Sequence, residues 1–143
     1  METFKEYIEK LDKLEFEKMY ENDFFLTWEK TRDELEAVFT VADTLRYLRE
    51  NNISTKIFDS GLGISLFRDN STRTRFSFAS ACNLLGLEVQ DLDEGKSQIS
   101  HGETVRETAN MISFMADIIG IRDDMYIGKG NAYMHEVSES VQE

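Results

Sequence analysis

The apolar positions in the first part of the chain recur at helical spacing. Residues 2–22 are rich in Glu and Lys, and their large apolar side chains follow one another at steps of three to five residues, at Phe4, Ile8, Leu11, Phe16 and Met19. This pattern predicts an amphipathic helix, which would form an N-terminal extension over residues 1–22. Two interpretations of the extension stay open: it packs on its own domain through the apolar face, or it is an arm that binds a partner.

A longer helix is predicted after residue 31. The short apolar segment of residues 23–28 before it is expected to be extended. Thr31 and Glu34 have the spacing of a capping box, in which each side chain accepts a hydrogen bond from the backbone N–H of the other residue. Apolar residues then recur at three- and four-residue steps as far as residues 51–52, and we expect them to form the buried face: Leu35, Val38, Phe39, Ala42, Leu45 and Leu48.

From residue 61 onward, short apolar runs alternate with amphipathic segments. The runs predict strands over residues 63–67, 87–92 and 117–122. The amphipathic segments predict helices over residues 73–85, 103–115 and 132–142. Gly86 follows the first of these helices and is its expected stop, because glycine readily adopts the left-handed conformation found at helix ends.

Alternating strands and helices predict an α/β domain with a central parallel sheet flanked by helices. Crossovers between parallel strands are right-handed, so the loops that follow the strands meet at one edge of the sheet. These loops are residues 68–75, 92–103 and 122–131. Ligands of open α/β sheets bind at this carboxyl edge. The three loops are therefore the expected place for ligand-binding residues.

Composition and charge narrow the classes of function. The 143 residues fit one domain of ordinary size. A net charge of −12, from 28 acidic and 16 basic residues, argues against a general nucleic-acid binder, which needs a basic surface. It leaves room for one small anion at a locally positive site. No apolar run approaches the roughly 20 residues of a membrane span, and the first 20 residues lack a signal-peptide pattern. The expected location is the cytoplasm.

The single cysteine, Cys82, cannot form a disulfide within the chain. It lies among apolar residues, which is typical of a small core residue. The alternative, a catalytic thiol, requires a partner that lowers the thiol pKa, and no such partner is apparent from the sequence.

The first of the three loops has the features of an oxyanion site. Residues 71–75 read Ser-Thr-Arg-Thr-Arg, directly after a strand and at the start of a helix. A helix N-terminus offers unpaired N–H groups and a partial positive charge. Hydroxyls add neutral donors, and a guanidinium adds a forked cation that matches phosphate oxygens. The alternative is a helix cap followed by solvated arginines, and spacing alone does not decide between the two.

The other two loops are less specific. In the second loop, Lys96, Gln98 and His101 are candidates for contact with an anion, although the residues by themselves favour a polar surface loop. The third loop opens with Arg122, at the end of a predicted buried strand. This arginine either faces the crevice at the sheet edge or pairs with Asp123 or Asp124.

The motif residues resemble a known family. The segment Phe67-Arg-Asp-Asn-Ser-Thr-Arg-Thr-Arg-Phe-Ser-Phe78 is similar to the Phe-x-x-x-Ser-Thr-Arg-Thr-Arg-x-Ser-Phe signature of the aspartate and ornithine carbamoyltransferases. Ser97-Gln-Ile-Ser-His-Gly-Glu-Thr104 resembles the second loop of the same enzymes. The run from Asp23 to Tyr133 most resembles the YgeW-type branch of knotted carbamoyltransferases. The resemblance implies a carbamoyl-phosphate-binding domain over residues 23–143 and a second, amine-binding domain that lies outside this chain, which we therefore expect to be a fragment or an isolated domain.

The resemblance also implies the role of each site residue. Phosphate would be bound by Ser71, Thr72, Arg73 and Thr74. Arg122 would bridge phosphate and the carbonyl, with Thr74 near the carbamoyl oxygen, so the expected catalytic residues are Arg73, Thr74 and Arg122. Gln98 and His101 would complete the site of a neighbouring subunit in a homotrimer, and Arg75 would be structural. Arg68, Asp69 and Asn70 differ from the residues of both the aspartate and the ornithine enzymes. In the second loop, His101 stands where the aspartate enzymes carry a lysine, and Gly102 stands where the ornithine enzymes carry one.

The implied activity is transfer of a carbamoyl group between carbamoyl phosphate and an amine or ureido substrate in amino-acid metabolism. It needs neither a metal nor a cofactor, and no nucleic-acid or membrane partner is implied. An alternative is an isolated binding or assembly module without turnover of its own, because the amine-binding half is missing. The sequence does not identify the amine.

Overall fold

The structure, a computed structural model, describes residues 3–68, 71–93 and 101–141. The chain divides into two compact units, residues 1–55 and 56–143. The helices are α1 Phe4–Leu11, α2 Arg32–Glu50, α3 Thr72–Leu85, α4 Val105–Ser113 and α5 Gly130–Val141. The strands are β1 Leu62–Phe67, β2 Glu88–Asp91 and β3 Ile118–Arg122. Single 3-10 turns lie at Glu17–Met19 and Thr27–Glu29.

The first unit holds α1 and α2. The prediction of one helix over residues 2–22 was wrong beyond Leu11, where α1 ends; Met19 lies in a separate 3-10 turn. The N–H of Glu15 instead donates to the carboxylate of Asp33 in α2, at 3.1 Å. Similarly, the segment expected to be extended ends in the 3-10 turn that contains Trp28. The apolar spacing continued across these breaks, so it did not reveal them.

The capping box at the start of α2 is confirmed. Thr31 Oγ1 accepts from the Glu34 N–H at 3.1 Å, and Glu34 Oε2 accepts from the Thr31 N–H at 2.7 Å. The predicted helix is confirmed, but its apolar face is only partly covered: Leu35, Leu45 and Leu48 are half-buried, whereas Phe39 is 65% exposed. The buried residues of α2 are Glu34, Ala37, Thr40 and Thr44. Two polar side chains can be buried here because the hydroxyls of Thr40 and Thr44 each donate to the carbonyl oxygen four residues earlier, at 2.7 Å.

The second unit contains a parallel sheet with the strand order β2-β1-β3, as the alternation predicted. Five of the six β1 residues are buried. The two outer strands are more exposed, so the expectation that Arg122 ends a fully buried strand was wrong; β3 is half-buried. Because β1 pairs with both neighbours in parallel, the ends of all three strands lie at one edge: Ser65 lies beside Asp91, and Phe67 beside Arg122.

Helices cover both faces of this sheet. On one face, Leu66 forms a core cluster with Ala109 of α4 and with Tyr133 and Val137 of α5. On the other face lies α3, because residues next to each other along a strand point to opposite sides. The unit is therefore a three-layer α/β domain, which confirms the predicted fold class. Among the helices described, none is both long and apolar enough to cross a membrane.

Two strand glycines allow α3 to approach the sheet closely. A Cβ atom at Gly63 would lie 2.7 Å from Cys82 Sγ, and one at Gly120 would lie 2.5 Å from Cε2 of Phe78. The ring of Phe78 also meets the ring of Phe67 edge-on, with 5.7 Å between centroids. Cys82 is buried in this layer, and its burial raises the pKa of the thiol, as expected for a core residue rather than a catalytic one.

The ends of the helices follow local sequence signals. As predicted, Gly86 ends α3 in the left-handed conformation, with φ +102°. Helix α4 begins later than predicted because Thr104 caps it in a capping box with Glu107. Hydrogen bonds from the Thr104 backbone and side chain lower the pKa of Glu107. This Thr-x-x-Glu spacing is visible in the sequence and could have placed the start correctly. The last helix begins at Gly130, two residues before the prediction.

Gly120→Ala tests the close approach of α3 to the sheet. Its methyl group would meet the Phe78 ring, and overpacking of this kind typically destabilises by about 1–3 kcal/mol. Urea denaturation would measure the change in the free energy of unfolding. If the clash is the cause, the double variant Gly120→Ala/Phe78→Leu should lose less free energy of unfolding than the two single variants lose together, because leucine leaves room for the new methyl group. Additive losses would contradict this account.

Candidate functional site

The loops that follow β1 and β3 meet at the carboxyl edge of the sheet, as predicted. The backbone N–H of Arg68, just after β1, donates to the carbonyl oxygen of Arg122 at 2.9 Å. The pairing of the strands thus continues into the loops. As a result, the start of α3 and the end of β3 lie next to each other.

Ser71 caps α3 and organises its first turn. Its Oγ accepts from the Thr74 N–H at 3.4 Å and lies 2.8 Å from Thr74 Oγ1. The next two residues, Thr72 and Arg73, occupy the first two positions of the helix, whose N–H groups have no acceptor within a helix. Both residues are exposed at the surface. The first turn therefore presents backbone donors, hydroxyls and one guanidinium to solvent.

We call the first turn of α3, residues 71–74, the cradle. The side chain of Arg122 reaches it from β3. Its Nη1 donates to Thr74 Oγ1 at 2.5 Å, and its Nη2 donates to Asp124 Oδ2 at 2.6 Å. The sequence had left open whether Arg122 faces the edge or pairs with a neighbouring aspartate, and it does both. Asp123 contacts a different arginine. Two of the predicted catalytic residues, Thr74 and Arg122, are therefore in direct contact although 48 positions separate them.

Arg75 locks the start of α3 to the ends of two strands. Its Nη1 donates to the Asp91 carboxylate at 2.5 Å, and its Nη2 donates to the carbonyl oxygen of Phe67 at 2.7 Å. The hydroxyl of Ser65 also donates to Asp91 at 2.5 Å. Since both Nη atoms are engaged within the fold, these contacts support the structural role expected for Arg75.

A third arginine–aspartate pair, that of Arg68 and Asp123, had not been recognised from the sequence. Nη1 of Arg68 donates to Asp123 Oδ2 at 2.9 Å, and its guanidinium lies over the ring of Tyr133, 4.4 Å from the centroid. The Asp123 side chain is only 4% exposed. The pair connects the ends of β1 and β3 with α5. The sequence did contain a signal for this pair. Arg68 follows β1 and Asp123 follows β3, so two residues of opposite charge stand at the ends of neighbouring parallel strands.

Arg73 differs from the three arginines already described. It is exposed, and within residues 3–68, 71–93 and 101–141 it makes no hydrogen bond or ion pair. Arg68, Arg75 and Arg122 each pair with an aspartate. Arg73 can therefore turn its fork toward an anion without first breaking a contact in this part of the fold.

Of the second loop, the structure describes residues 92–93 and 101–103. His101 is exposed at its end, just before Gly102 with φ +102°. Lys96 and Gln98 lie outside the described residues, so the predicted role of Gln98 stays a prediction. In the described part of the chain, no group of three or more His, Cys, Asp or Glu side chains is arranged to hold a metal ion.

The sequence matches a family model and several curated proteins. Residues 22–142 match the model described as aspartate/ornithine carbamoyltransferase, carbamoyl-P binding domain. All 143 residues align at 66% identity with YgeW of Escherichia coli K12, whose name assigns it provisionally to the carbamoyltransferases; they cover 36% of its length. The chain is 36% identical to the aspartate carbamoyltransferase catalytic subunit of Saccharophagus degradans, over 64% of this chain and 27% of that protein. The chain thus spans about a third of the length of these relatives.

Solved structures show the same fold. Aspartate transcarbamoylase of Trypanosoma cruzi in complex with carbamoyl phosphate superposes with a TM-score of 0.76 at 19% identity, over 92% of this chain and 42% of that one. The catalytic subunit of M. jannaschii aspartate transcarbamoylase superposes with a TM-score of 0.72 at 27% identity, over 83% of this chain and 38% of that one.

Arg68→Ala tests the buried pair beside the cradle. It would leave the 4% exposed Asp123 carboxylate without its cation, and an unpaired buried acceptor typically costs about 1–3 kcal/mol of stability, or more when it is charged. Urea denaturation at neutral pH would measure the loss. Arg68→Lys is the matched control, because it keeps a positive charge near Asp123 and should lose less. Equal stability of Arg68→Ala and the unchanged chain would show that Asp123 does not depend on Arg68.

Proposed function

Because this chain belongs to the aspartate/ornithine carbamoyltransferase family, as its carbamoyl-phosphate-binding domain, we propose that it binds carbamoyl phosphate at the start of α3. The phosphate ligands of the proposal are Ser71, Thr72, Arg73 and Thr74. The observation that carries it is the contact between Arg122 and Thr74. This contact places a guanidinium from β3 beside a helix N-terminus, and both attract anions.

The proposed chemistry is transfer of the carbamoyl group. A neutral amine nitrogen attacks the carbonyl carbon, and a tetrahedral oxyanion forms. The bond between carbon and the phosphate oxygen then breaks, and phosphate leaves with the proton that the nitrogen gives up. Arg73 and the N–H groups of α3 stabilise the negative charge that grows on the phosphate. Arg122 and Thr74 donate hydrogen bonds to the carbonyl oxygen and so stabilise the oxyanion. The reverse reaction, phosphorolysis of a ureido compound, uses the same contacts.

The rest of the site is proposed to come from other parts of the assembled enzyme. The amine-binding residues belong, in this proposal, to a second domain outside the 143 residues, as the one-third coverage of the relatives favours. Gln98 and His101 would reach the site of a neighbouring subunit in a homotrimer, the arrangement that the resemblance of the second loop supports; light scattering over a concentration series would measure it. A cytoplasmic location is part of the same proposal.

Arg73→Ala tests the phosphate site. A charge-assisted hydrogen bond contributes about 1.5–3 kcal/mol, so this variant should bind inorganic phosphate or carbamoyl phosphate roughly ten- to a hundredfold more weakly. Titration calorimetry would measure both ligands. Arg49→Ala removes another exposed arginine, in the last turn of α2, and should leave the affinity unchanged. If Arg73→Ala binds as tightly as the unchanged chain, Arg73 does not contact the phosphate.

The second candidate function is a binding or assembly module without turnover of its own. Its support is again that the chain covers 36% of the length of YgeW. Without the residues that orient the amine, the rate advantage of holding both reactants together is lost. We therefore expect the 143-residue chain to form no ureido product above background in a colorimetric assay with carbamoyl phosphate and ornithine, aspartate or other amines. Clear turnover would show that residues 1–143 hold a complete site and would rule out this second function.

A further inference from the structure

The carboxylates at the site edge are of two kinds. Asp123 is almost fully buried against Arg68, and Asp91 bridges Arg75 and Ser65, so both hold strands and helices together. The side chain of Asp124 is 54% exposed, compared with 45% for Asp91 and 4% for Asp123, and its contacts include the guanidinium of Arg122, only two positions away in the chain. A contact between near neighbours in sequence on the surface adds little to the stability of a fold.

The position of Asp124 matters more for charge than for stability. Its Oδ2 lies 2.6 Å from Nη2 of Arg122, while Nη1 of the same guanidinium contacts Thr74 in the cradle. The carboxylate thus occupies one side of the fork that faces the proposed ligand. Its negative charge also lowers the positive potential at the start of α3, since two unit charges a few ångströms apart interact appreciably even near water.

We propose that Asp124 is an affinity-determining residue of this site, an internal carboxylate that occupies the Arg122 guanidinium and competes with the incoming anion. The inference rests on the proposed binding of phosphate at the start of α3. A ligand with one negative charge, such as acetate, attracts the Arg122 guanidinium no more strongly than the Asp124 carboxylate already does. A phosphate group carries up to two charges and also contacts the hydroxyls and N–H groups of the cradle. Asp124 therefore makes the site selective for phosphate ligands and limits how tightly they bind.

The variant Asp124→Asn removes the charge but keeps the size and a carbonyl oxygen that accepts from Nη2. We expect it to bind inorganic phosphate and carbamoyl phosphate about three- to tenfold more tightly at low salt, by titration calorimetry. The gain should shrink as salt is added, because an exposed charge is screened. Asp124→Ser, which also removes the charge, should likewise bind both ligands more tightly. Asp59→Asn is the matched control: Asp59 is an exposed aspartate that precedes β1, at the opposite edge of the sheet, and should change the affinity little.

The outcomes separate this inference from the proposed function. If the unchanged chain binds phosphate and Asp124→Asn binds it equally or more weakly, Asp124 does not compete, and the proposed function stands without it. An equal gain in Asp59→Asn would show that only the net charge of the protein matters and would overturn the inference in the same way. If neither the unchanged chain nor Asp124→Asn binds phosphate or carbamoyl phosphate, the proposed function fails, and the role of Asp124 fails with it.

Discussion

The guanidinium of Arg75 ties the start of α3 to the ends of β1 and β2, and the geometry of the site depends on it. It contacts Asp91 at the end of β2 and the carbonyl oxygen of Phe67 at the end of β1. A helix N-terminus binds an anion usefully only if its N–H groups are held in place relative to the other cations, since preorganised donors need no rearrangement when charge develops. The glycines at positions 63 and 120 contribute by letting α3 lie close to the sheet.

With α3 held in this way, the charges at the sheet edge are distributed unevenly. Three arginines pair with aspartates, and Arg73 makes no such pair in the described part of the chain. At this edge of the sheet, an acidic protein with a net charge of −12 thus presents the available guanidinium of Arg73 beside the N-terminus of α3. The pair of Arg68 with the buried Asp123 side chain connects β1, β3 and α5, whereas Asp124 lies exposed beside Arg122.

Helix ends in both units could be predicted from local sequence signals. Gly86 marked the end of α3 and Thr31 the start of α2, because each residue type satisfies a specific backbone requirement at a helix end. Apolar periodicity was a poorer guide in the first unit. It placed Phe39 on the buried face of α2, but Thr40 and Thr44 are buried instead, because their hydroxyls bond to the carbonyl oxygens of the preceding turn. A hydropathy pattern does not predict that such a hydrogen bond allows a threonine side chain to be buried.

The sequence by itself determined the order of strands and helices in the second unit and the residues of the cradle, since Ser71, Thr72, Arg73 and Thr74 are adjacent in the chain and their chemistry follows from a helix start. Only the tertiary structure decided which arginine pairs with which carboxylate. Asp123 and Asp124 are neighbours, yet one is buried against Arg68 and the other lies exposed beside Arg122. The reason is that side chains of successive residues after a strand point in different directions. Arg68, the partner of Asp123, lies 55 positions away, and Thr74, which holds the Arg122 guanidinium beside Asp124, lies 48 positions from Arg122, so both contacts depend on the packing of the whole sheet.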